Sequence, residues 1–323
     1  MSESNIDHGF IDLFSGAGGF SSGFRLAGFK ELLVIERNLS AIKTYNLNLP
    51  DAICINDDIR NIHSLEIERK CYQKPTVVLA SPPCEPFTSA NTKRKPTTWE
   101  RFFEDPQGDL IFHAIRIIKD LNPEFFVIEN VVPIIDGEGR EIILEAFADS
   151  KFPTIYFNVI RAEKHGSPSS RKRVFISNIN LDLEKKKIVT VGQVLSGLQD
   201  PSYPNDLPNH FLTPIPDKIQ KRIHQIKPGN AAVYFEGASS EKLNWIRLDK
   251  NKLSPTVMGK SRFIHFDQDR ALTIREHGRL MTFPDYYEFT GTVEEMYNQV
   301  GEAVPPLISY LIAKKIKEKI SES

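Results

Sequence analysis

Two hydrophobic periods alternate along the first 130 residues. Short apolar runs recur at Phe10-Ile11-Asp12-Leu13-Phe14, Leu32-Leu33-Val34-Ile35, Ala52-Ile53-Cys54-Ile55, Val77-Val78-Leu79-Ala80 and Phe125-Phe126-Val127-Ile128. Apolar runs of this length predict short buried strands. Between them, 20–27, 40–47 and 110–121 carry helix-like patterns, with Ile111, Ile115 and Ile118 at helical spacing in the last. A β-α-β series of this kind predicts an α/β fold with a mainly parallel sheet and helices on both faces. Right-handed crossovers then bring the carboxyl ends of all five strands to one edge.

The pattern changes after Arg140. Strand-like runs at 156–160 and 174–177 flank the turn-rich His165-Gly166-Ser167-Pro168-Ser169-Ser170, which suits an antiparallel hairpin closing one edge of the sheet. From 181 to 268 alternation is weak and prolines cluster (Pro201, Pro204, Pro208, Pro214, Pro216), which predicts a second, smaller, irregular domain. Order returns at Asp269. Thr273 and Glu276 suit a capped helix over 272–281, and 305–320 reads as a helix with Lys314, Lys315, Lys317 and Lys319 near its end. The expected division is 1–180, 181–268 and a returning segment 269–323.

Composition narrows the class. The chain has 323 residues, 40% hydrophobic and 26% charged, as in ordinary soluble globular proteins. The net charge of -1 neither requires nor excludes nucleic acid, so local charge has to decide. Residues 181–268 hold thirteen Lys and Arg against nine Asp and Glu, a bias toward nucleic acid that a solvated insertion would show equally. Three cysteines, Cys54, Cys71 and Cys84, without a Cys-x-x-Cys make a disulfide framework or a cysteine zinc site unexpected, and no metal is expected. Met1-Ser2-Glu3-Ser4-Asn5 has no signal-peptide core, and no apolar run reaches membrane-span length. A soluble, cytoplasmic protein with no membrane contact is the expectation.

The unusual polar residues fall at the predicted strand ends: the loop Phe14-Ser15-Gly16-Ala17-Gly18-Gly19, then Glu36, Asp58, Cys84 and Glu129. That edge is where ligands bind in open α/β sheets. The glycine loop suits a nucleotide-like ligand or a plain tight turn. It is neither Gly-x-Gly-x-x-Gly, because Ser21 takes the third place, nor a P-loop. Glu36 can accept both hydroxyls of a ribose, and Asp58 stands where an adenine edge would be met. The loop has no cationic cluster for a phosphate chain, which fits adenosyl-methionine better than a dinucleotide. Cys84, on the proline-stiffened Ser81-Pro82-Pro83-Cys84-Glu85-Pro86, is either a packing thiol or a nucleophile. With Glu129 it suits methylation of a pyrimidine at carbon 5. A thiolate adding to carbon 6 makes carbon 5 enamine-like, and a carboxyl bonded to ring nitrogen 3 stabilises the developing charge. Arg171 and Arg173 alternate on a strand-like run and place two guanidiniums on one face, for the exocyclic oxygen or as a charged edge strand.

In this order the motifs resemble those of the cytosine-5 DNA methyltransferase family over nearly the whole chain. Phe14 to Gly19 is similar to its methionine-binding loop, Glu36 to its ribose acid and Asp58-Ile59 to its adenine contact. Pro82-Pro83-Cys84 resembles its nucleophile loop, Glu129-Asn130-Val131 its acid motif and Arg171-Lys172-Arg173 its Arg-x-Arg. Leu272 to Pro284 resembles its packing helix, and Gly301-Glu302-Ala303-Val304-Pro305-Pro306 its closing motif at the cofactor site. The resemblance implies a Rossmann-like methyltransferase fold. It implies S-adenosyl-L-methionine held by Phe14, Ser15, Gly16, Ala17, Gly18, Gly19, Glu36, Asp58, Ile59, Pro82, Glu302 and Ala303. It further implies catalysis by Cys84, Glu129, Arg171 and Arg173 on a cytosine swung out of duplex DNA. Residues 181–268 become the target recognition domain, with His210, His224 and His265 leaning toward DNA, and Lys93, Arg94 and Lys95 lie near phosphates. A monomer, in functional pairing with a restriction endonuclease, is expected. Three positions depart from the family: Glu85 and Ser169 where it has Gln, and Glu302 where it has Asn. Action on transfer RNA, or a catalytically weak DNA-binding role, are the alternatives.

Overall fold

The computed structural model describes residues 8–238 and 241–322; Met1 to Asn5, expected to lack a signal core, lie outside them. The element order begins β1 (Gly9–Leu13), α1 (Gly19–Leu26), β2 (Lys30–Ile35), α2 (Leu39–Asn48), β3 (Ile53–Ile55), α3 (Ser64–Lys70) and β4 (Val77–Ala80). It continues α4 (Thr98–Phe103), α5 (Leu110–Leu121), β5 (Phe125–Asn130), α6 (Gly139–Ala146), β6 (Tyr156–Arg161) and β7 (Lys172–Ser177). These strands form one seven-stranded sheet in the order β3-β2-β1-β4-β5-β7-β6. The first five run parallel, and β7 and β6 close the edge antiparallel, as the hairpin pattern predicted.

Strand order reverses between β1 and β4, which are hydrogen-bonded neighbours. Such a switch point opens a crevice beyond the carboxyl ends of its two strands. Here the crevice receives the glycine loop after β1 and the Cys84 loop after β4. Side chains alternate across the sheet. Val78 and Ala80 pack with Ile111, Ile115 and Ile118 of α5, while Val77 and Leu79 pack with Phe20 and Phe24 of α1. The last helix, α11 below, lies on that second face through Ile308, Leu311, Ile312 and Ile316.

The segment expected to be irregular contains more order than its sequence pattern suggests. It holds α7 (Val191–Leu195), α8 (Asp217–Gln220) and a three-stranded sheet, β10-β9-β8, of β8 (Ala231–Glu236), β9 (Glu241–Arg247) and β10 (Phe263–Ile264). The chain then forms α9 (Ile274–Leu280), α10 (Val293–Glu302) and α11 (Pro306–Glu322). Thr273 caps α9 in a reciprocal box with Glu276, as the sequence predicted. Ile246, Leu248, Val257 and Phe263 share one core with Leu280, Phe283, Tyr287, Phe289 and Val300. No helix among the described residues is long and apolar enough to cross a membrane.

Candidate active site

β4 and β5 run in register from Val77–Phe125 to Ala80–Ile128, so their ends are fixed against each other. Cys84 leaves β4 in a tight turn whose carbonyl accepts from Phe87 N–H and Thr88 N–H, both at 3.0 Å. Asn130 at the end of β5 donates from Nδ2 to the Pro82 carbonyl (3.1 Å), stitching the two strand ends together. Glu129 lies within β5, opposite Phe175 of β7, and is 6% exposed. Arg173 Nε stands 3.1 Å from Glu129 Oε1, and Arg171 Nη2 stands 4.0 Å from the same oxygen. That oxygen has no hydrogen-bond partner among the described residues, only the ion pair. Burial pushes the Cys84 thiol up to about 12; Glu85 and Glu129 add to the rise, while Arg173 and Arg171 oppose it. Thiol, carboxyl and both guanidiniums therefore share one electrostatic neighbourhood.

The glycine loop forms the other half of the crevice. Glu36 accepts Gly16 N–H on Oε2 (2.9 Å) and Asn38 N–H on Oε1 (2.7 Å), which orients its carboxylate at the end of β2. Burial raises its pKa and the backbone donors oppose that rise. Gly18 has φ +86°, and a Cβ there would sit 2.7 Å from the Tyr287 hydroxyl, so glycine is required on both counts. Tyr287 O–H in turn donates to the Ala17 carbonyl, clamping the loop from the far side. Ser81 Oγ donates to the Phe14 carbonyl (3.0 Å), joining the glycine loop to the Cys84 loop. A Cβ on Gly16 would meet nothing within 4 Å, so the space above the loop is open. Ser15 Oγ is buried there without a partner among the described residues. An orphaned hydroxyl beside open space, next to an oriented carboxylate, fits the polar end and ribose of an adenosyl-methionine.

Other expected contacts are placed differently. Asp58 Oδ2 lies 3.4 Å from Arg37 Nη1 and 3.3 Å from Arg60 Nη1, while Oδ1 caps the Ile59 turn through Arg60 N–H. Glu302 ends α10 with an exposed edge, and Ala303 follows it. Burial, then the like charges of Glu85 and Glu36, push Glu302 up to about 7, with Lys260 and Arg171 opposing. Of the three basic loop residues, Arg94 donates to the Phe87 carbonyl (3.1 Å) and Lys95 pairs with Glu104 (3.3 Å), while Lys93 is exposed. His210 does not face a partner: it is 2% exposed, between Thr273 Oγ1 and the Gln199 carbonyl. His265 stacks on Phe266, and burial lowers it to about 4, so it carries no charge toward DNA near neutral pH. His224 remains exposed.

Asp12, a lone carboxylate in an apolar strand, was a visible but unused signal in the sequence. It is fully buried beneath the glycine loop, takes Ser21 O–H at 2.6 Å, and burial pushes it up to about 7. Tyr287 carried no local signal, because only the fold brings it to Ala17.

Comparison with known proteins agrees with this geometry. The family model for C-5 cytosine-specific DNA methylases matches residues 8–318. A Methanocaldococcus jannaschii protein named as a type II methyltransferase is 39% identical over 96% of this chain and 98% of its own length. Type II methyltransferase M1.HphI of Haemophilus parahaemolyticus is 31% identical over 95% of this chain and 86% of its own. A solved structure described as a DNA modification methyltransferase of an Escherichia coli prophage superposes with a TM-score of 0.77 at 24% identity. It covers 97% of this chain and 99% of that one, and shows the shared fold. The chain belongs to the C-5 cytosine-specific DNA methylase family and is a DNA cytosine methyltransferase.

Proposed function

We propose that Cys84 is the covalent nucleophile and Glu129 the acid in methyl transfer to carbon 5 of a cytosine flipped from duplex DNA. The observation that carries this reading is the buried Glu129 oxygen, 3.1 Å from Arg173 Nε and without a hydrogen bond, in the electrostatic reach of the Cys84 thiol. S-adenosyl-L-methionine, when bound, supplies an electrophilic methyl group on a sulfonium. The protein's residues do the rest. A thiol held up at about 12 is protonated in the free protein, so its proton must leave as the base docks. Cys84 sulfur then bonds carbon 6, and the ring's electrons move toward carbon 5 and nitrogen 3. The Glu129 carboxyl hydrogen-bonds nitrogen 3, and Arg173 aligns that carboxyl and faces the exocyclic oxygen. After carbon 5 takes the methyl group, the carbon-5 proton passes to water, the 5,6 double bond re-forms and the S–C6 bond breaks, which expels the Cys84 thiolate.

For the cofactor, Glu36 takes the ribose hydroxyls and the loop from Phe14 to Gly19 takes the methionine end, with Ser15 Oγ as its free hydroxyl. Asp58 and Ile59 border the adenine, and Pro82, Glu302 and Ala303 close the far side. Glu85 and Glu36 both act on Glu302, and negative charge gathered there suits a ligand that carries a sulfonium cation. That gives the two acidic departures from the family a physical role.

The division 1–180 for catalysis, 181–268 for target recognition and 269–323 returning to the catalytic sheet is supported by α11 on that sheet. The β8–β9 hairpin borders the crevice, since Ala238 N–H donates to the Ser89 carbonyl in the Cys84 loop (2.9 Å). Lys93 is assigned to a phosphate. The type II names of the relatives support pairing with a restriction endonuclease. The test is labelled methyl incorporation into duplex DNA and into transfer RNA. Wild type is expected to label DNA at cytosine, and Cys84→Ala to fall to background. A 5-fluorocytosine duplex, which has no carbon-5 proton to lose, is expected to trap a covalent complex with the wild type only. Near-normal transfer by Cys84→Ala would refute the assignment.

A further inference from the structure

Arg171 and Arg173 alternate on one face, yet their surroundings differ. Arg173 is less enclosed: besides its pairing with Glu129, among the described residues its Nη1 donates only to the carbonyl of its chain neighbour Lys172 (2.9 Å). Arg171 is 3% exposed and its guanidinium is held by carbonyls. Nη1 donates to Val257 (3.0 Å) and to Gly301 (3.1 Å), and Nη2 donates to Ala303 (3.0 Å). These carbonyls come from two different places: the segment leaving the recognition region, and the turn that closes on the cofactor. The first segment is also laced to the chain just before β7. Ser170 N–H donates to the Ser254 carbonyl (2.9 Å), Ser254 N–H to the Pro168 carbonyl (2.9 Å) and Ser169 Oγ to the Pro255 carbonyl (3.1 Å). Ser169 is fully buried, so its small hydroxyl, in place of the family's Gln, lets that segment lie alongside. The two segments also touch each other directly. A Cβ on Gly301 would lie 2.1 Å from the Met258 carbonyl carbon, closer than any side chain tolerates.

We propose that Arg171 is a positioning residue that knots the segment at Val257 and the closing turn at Gly301–Ala303 to the catalytic strand, so that cofactor seating and the recognition segment move together. It does not serve as a contact to the base. This rests on the reading above that Glu302 and Ala303 close the cofactor site. A planar guanidinium can serve three carbonyls at fixed angles, which a lysine ammonium on a flexible stem cannot. Charge on Arg171 also reaches Glu129, so the knot steadies the catalytic carboxyl from behind.

The test measures S-adenosyl-L-methionine affinity by calorimetry without DNA, together with kcat on duplex DNA, for wild type, Arg171→Ala, Arg171→Lys and Arg173→Ala. Arg171→Ala is expected to weaken cofactor binding at least tenfold with no DNA present, and Arg171→Lys to recover part of it. Arg173→Ala is expected to lose kcat with cofactor affinity within twofold. An Arg171→Ala protein with wild-type cofactor affinity and low kcat would make Arg171 a base contact, through its free Nε–H, and overturn the proposal. Should that variant not fold, hydrogen exchange on the unaltered protein decides. Adding S-adenosylhomocysteine must protect 255–259 together with 300–304, and protection of 300–304 alone overturns the knot. If wild type binds no cofactor, or neither segment gains protection although it binds, it is the cofactor-site reading that fails.

Discussion

The edge proposed for catalysis and the hairpin proposed for target recognition are both ends of β-sheets, but they are built to different tolerances. Glu129 belongs to a central strand paired on both sides, buried on both faces and tied through Asn130 to the Pro82 carbonyl. Among the described residues, the β8–β9 hairpin pairs beyond itself with β10 alone, two residues long. On its open face Tyr234 and Leu243 stand directly opposite each other, 56% and 40% exposed. Bond-making needs side chains fixed to fractions of an ångström, and register in a wide sheet provides that. Contact with a long, deformable DNA surface needs exposed side chains on a scaffold whose details can change without disturbing the chemistry.

The strongest test of that contrast is Glu129→Gln. It should lower kcat by about 10²- to 10⁴-fold, the range for a positioned acid–base group, with cofactor affinity unchanged in titration. Losing the charge also leaves Arg173 and Arg171 buried without their carboxylate. Removing one partner of a buried pair costs about 3–5 kcal/mol, so a lower melting temperature should accompany the kinetic loss. A smaller and opposite effect is expected from Tyr234→Ala with Leu243→Ala. Burying an exposed apolar side chain against a partner contributes about 1.5–3 kcal/mol, so duplex affinity in gel-shift titration should fall about tenfold or more. Cofactor affinity should stay at the wild-type value. The contrast breaks if the hairpin variant loses kcat at saturating DNA, or if Glu129→Gln mainly weakens DNA binding.

The same contrast explains what the sequence made legible. Short apolar runs bounded by prolines, such as Val77 to Ala80, read as buried strands, and helical spacing gave α5 the limits Leu110 and Leu121. Once five parallel strands are inferred, topology alone brings Cys84 and Glu129 to one edge. The recognition sheet was not legible: β8 mixes exposed and half-buried residues, and its core partners, such as Leu280 and Phe289, lie far along the chain. The helix Val293–Glu302 was also missed, because its capping box at Thr292 and Glu295 precedes a weakly apolar segment. Nor could the sequence distinguish Arg171 from Arg173. Both lie on the same face, and only the return of Val257, Gly301 and Ala303 separates a guanidinium that bridges distant segments from one that reaches, among the described residues, only Glu129 and its neighbour Lys172.

Glu302→Gln sharpens the contrast on the cofactor side. With a pKa of about 7 in the free protein, Glu302 is part-protonated at neutral pH. A cation bound nearby favours its charged form, so cofactor binding must release a proton. Affinity for S-adenosyl-L-methionine should therefore rise with pH below about 7, by up to about tenfold per unit where a full proton is released, and level off above it. The amine of the ligand titrates as well, so the comparison with Glu302→Gln isolates the protein's share. The variant should show the shallower slope by calorimetry, and equal slopes would remove Glu302 from the cation's surroundings.

The smallest expected effect concerns the other acidic departure, Glu85. After burial, its charge is the largest influence raising the Cys84 thiol, yet the side chain is exposed, so solvent screens it. Exposed charge pairs exchange about 0.2–1 kcal/mol. Glu85→Gln should then speed Cys84 alkylation by iodoacetamide about 1.4-fold to fivefold at fixed pH, followed by mass spectrometry of the Cys84 peptide because Cys54 and Cys71 are also free. In wild type that rate should climb about tenfold per pH unit from 7 to 9 without a plateau, as for any thiol titrating well above the range. A plateau near neutral pH would mean that the guanidiniums of Arg173 and Arg171 outweigh burial at the sulfur. The catalytic edge would then hold a ready thiolate before any base arrives, and proton removal would no longer be part of docking.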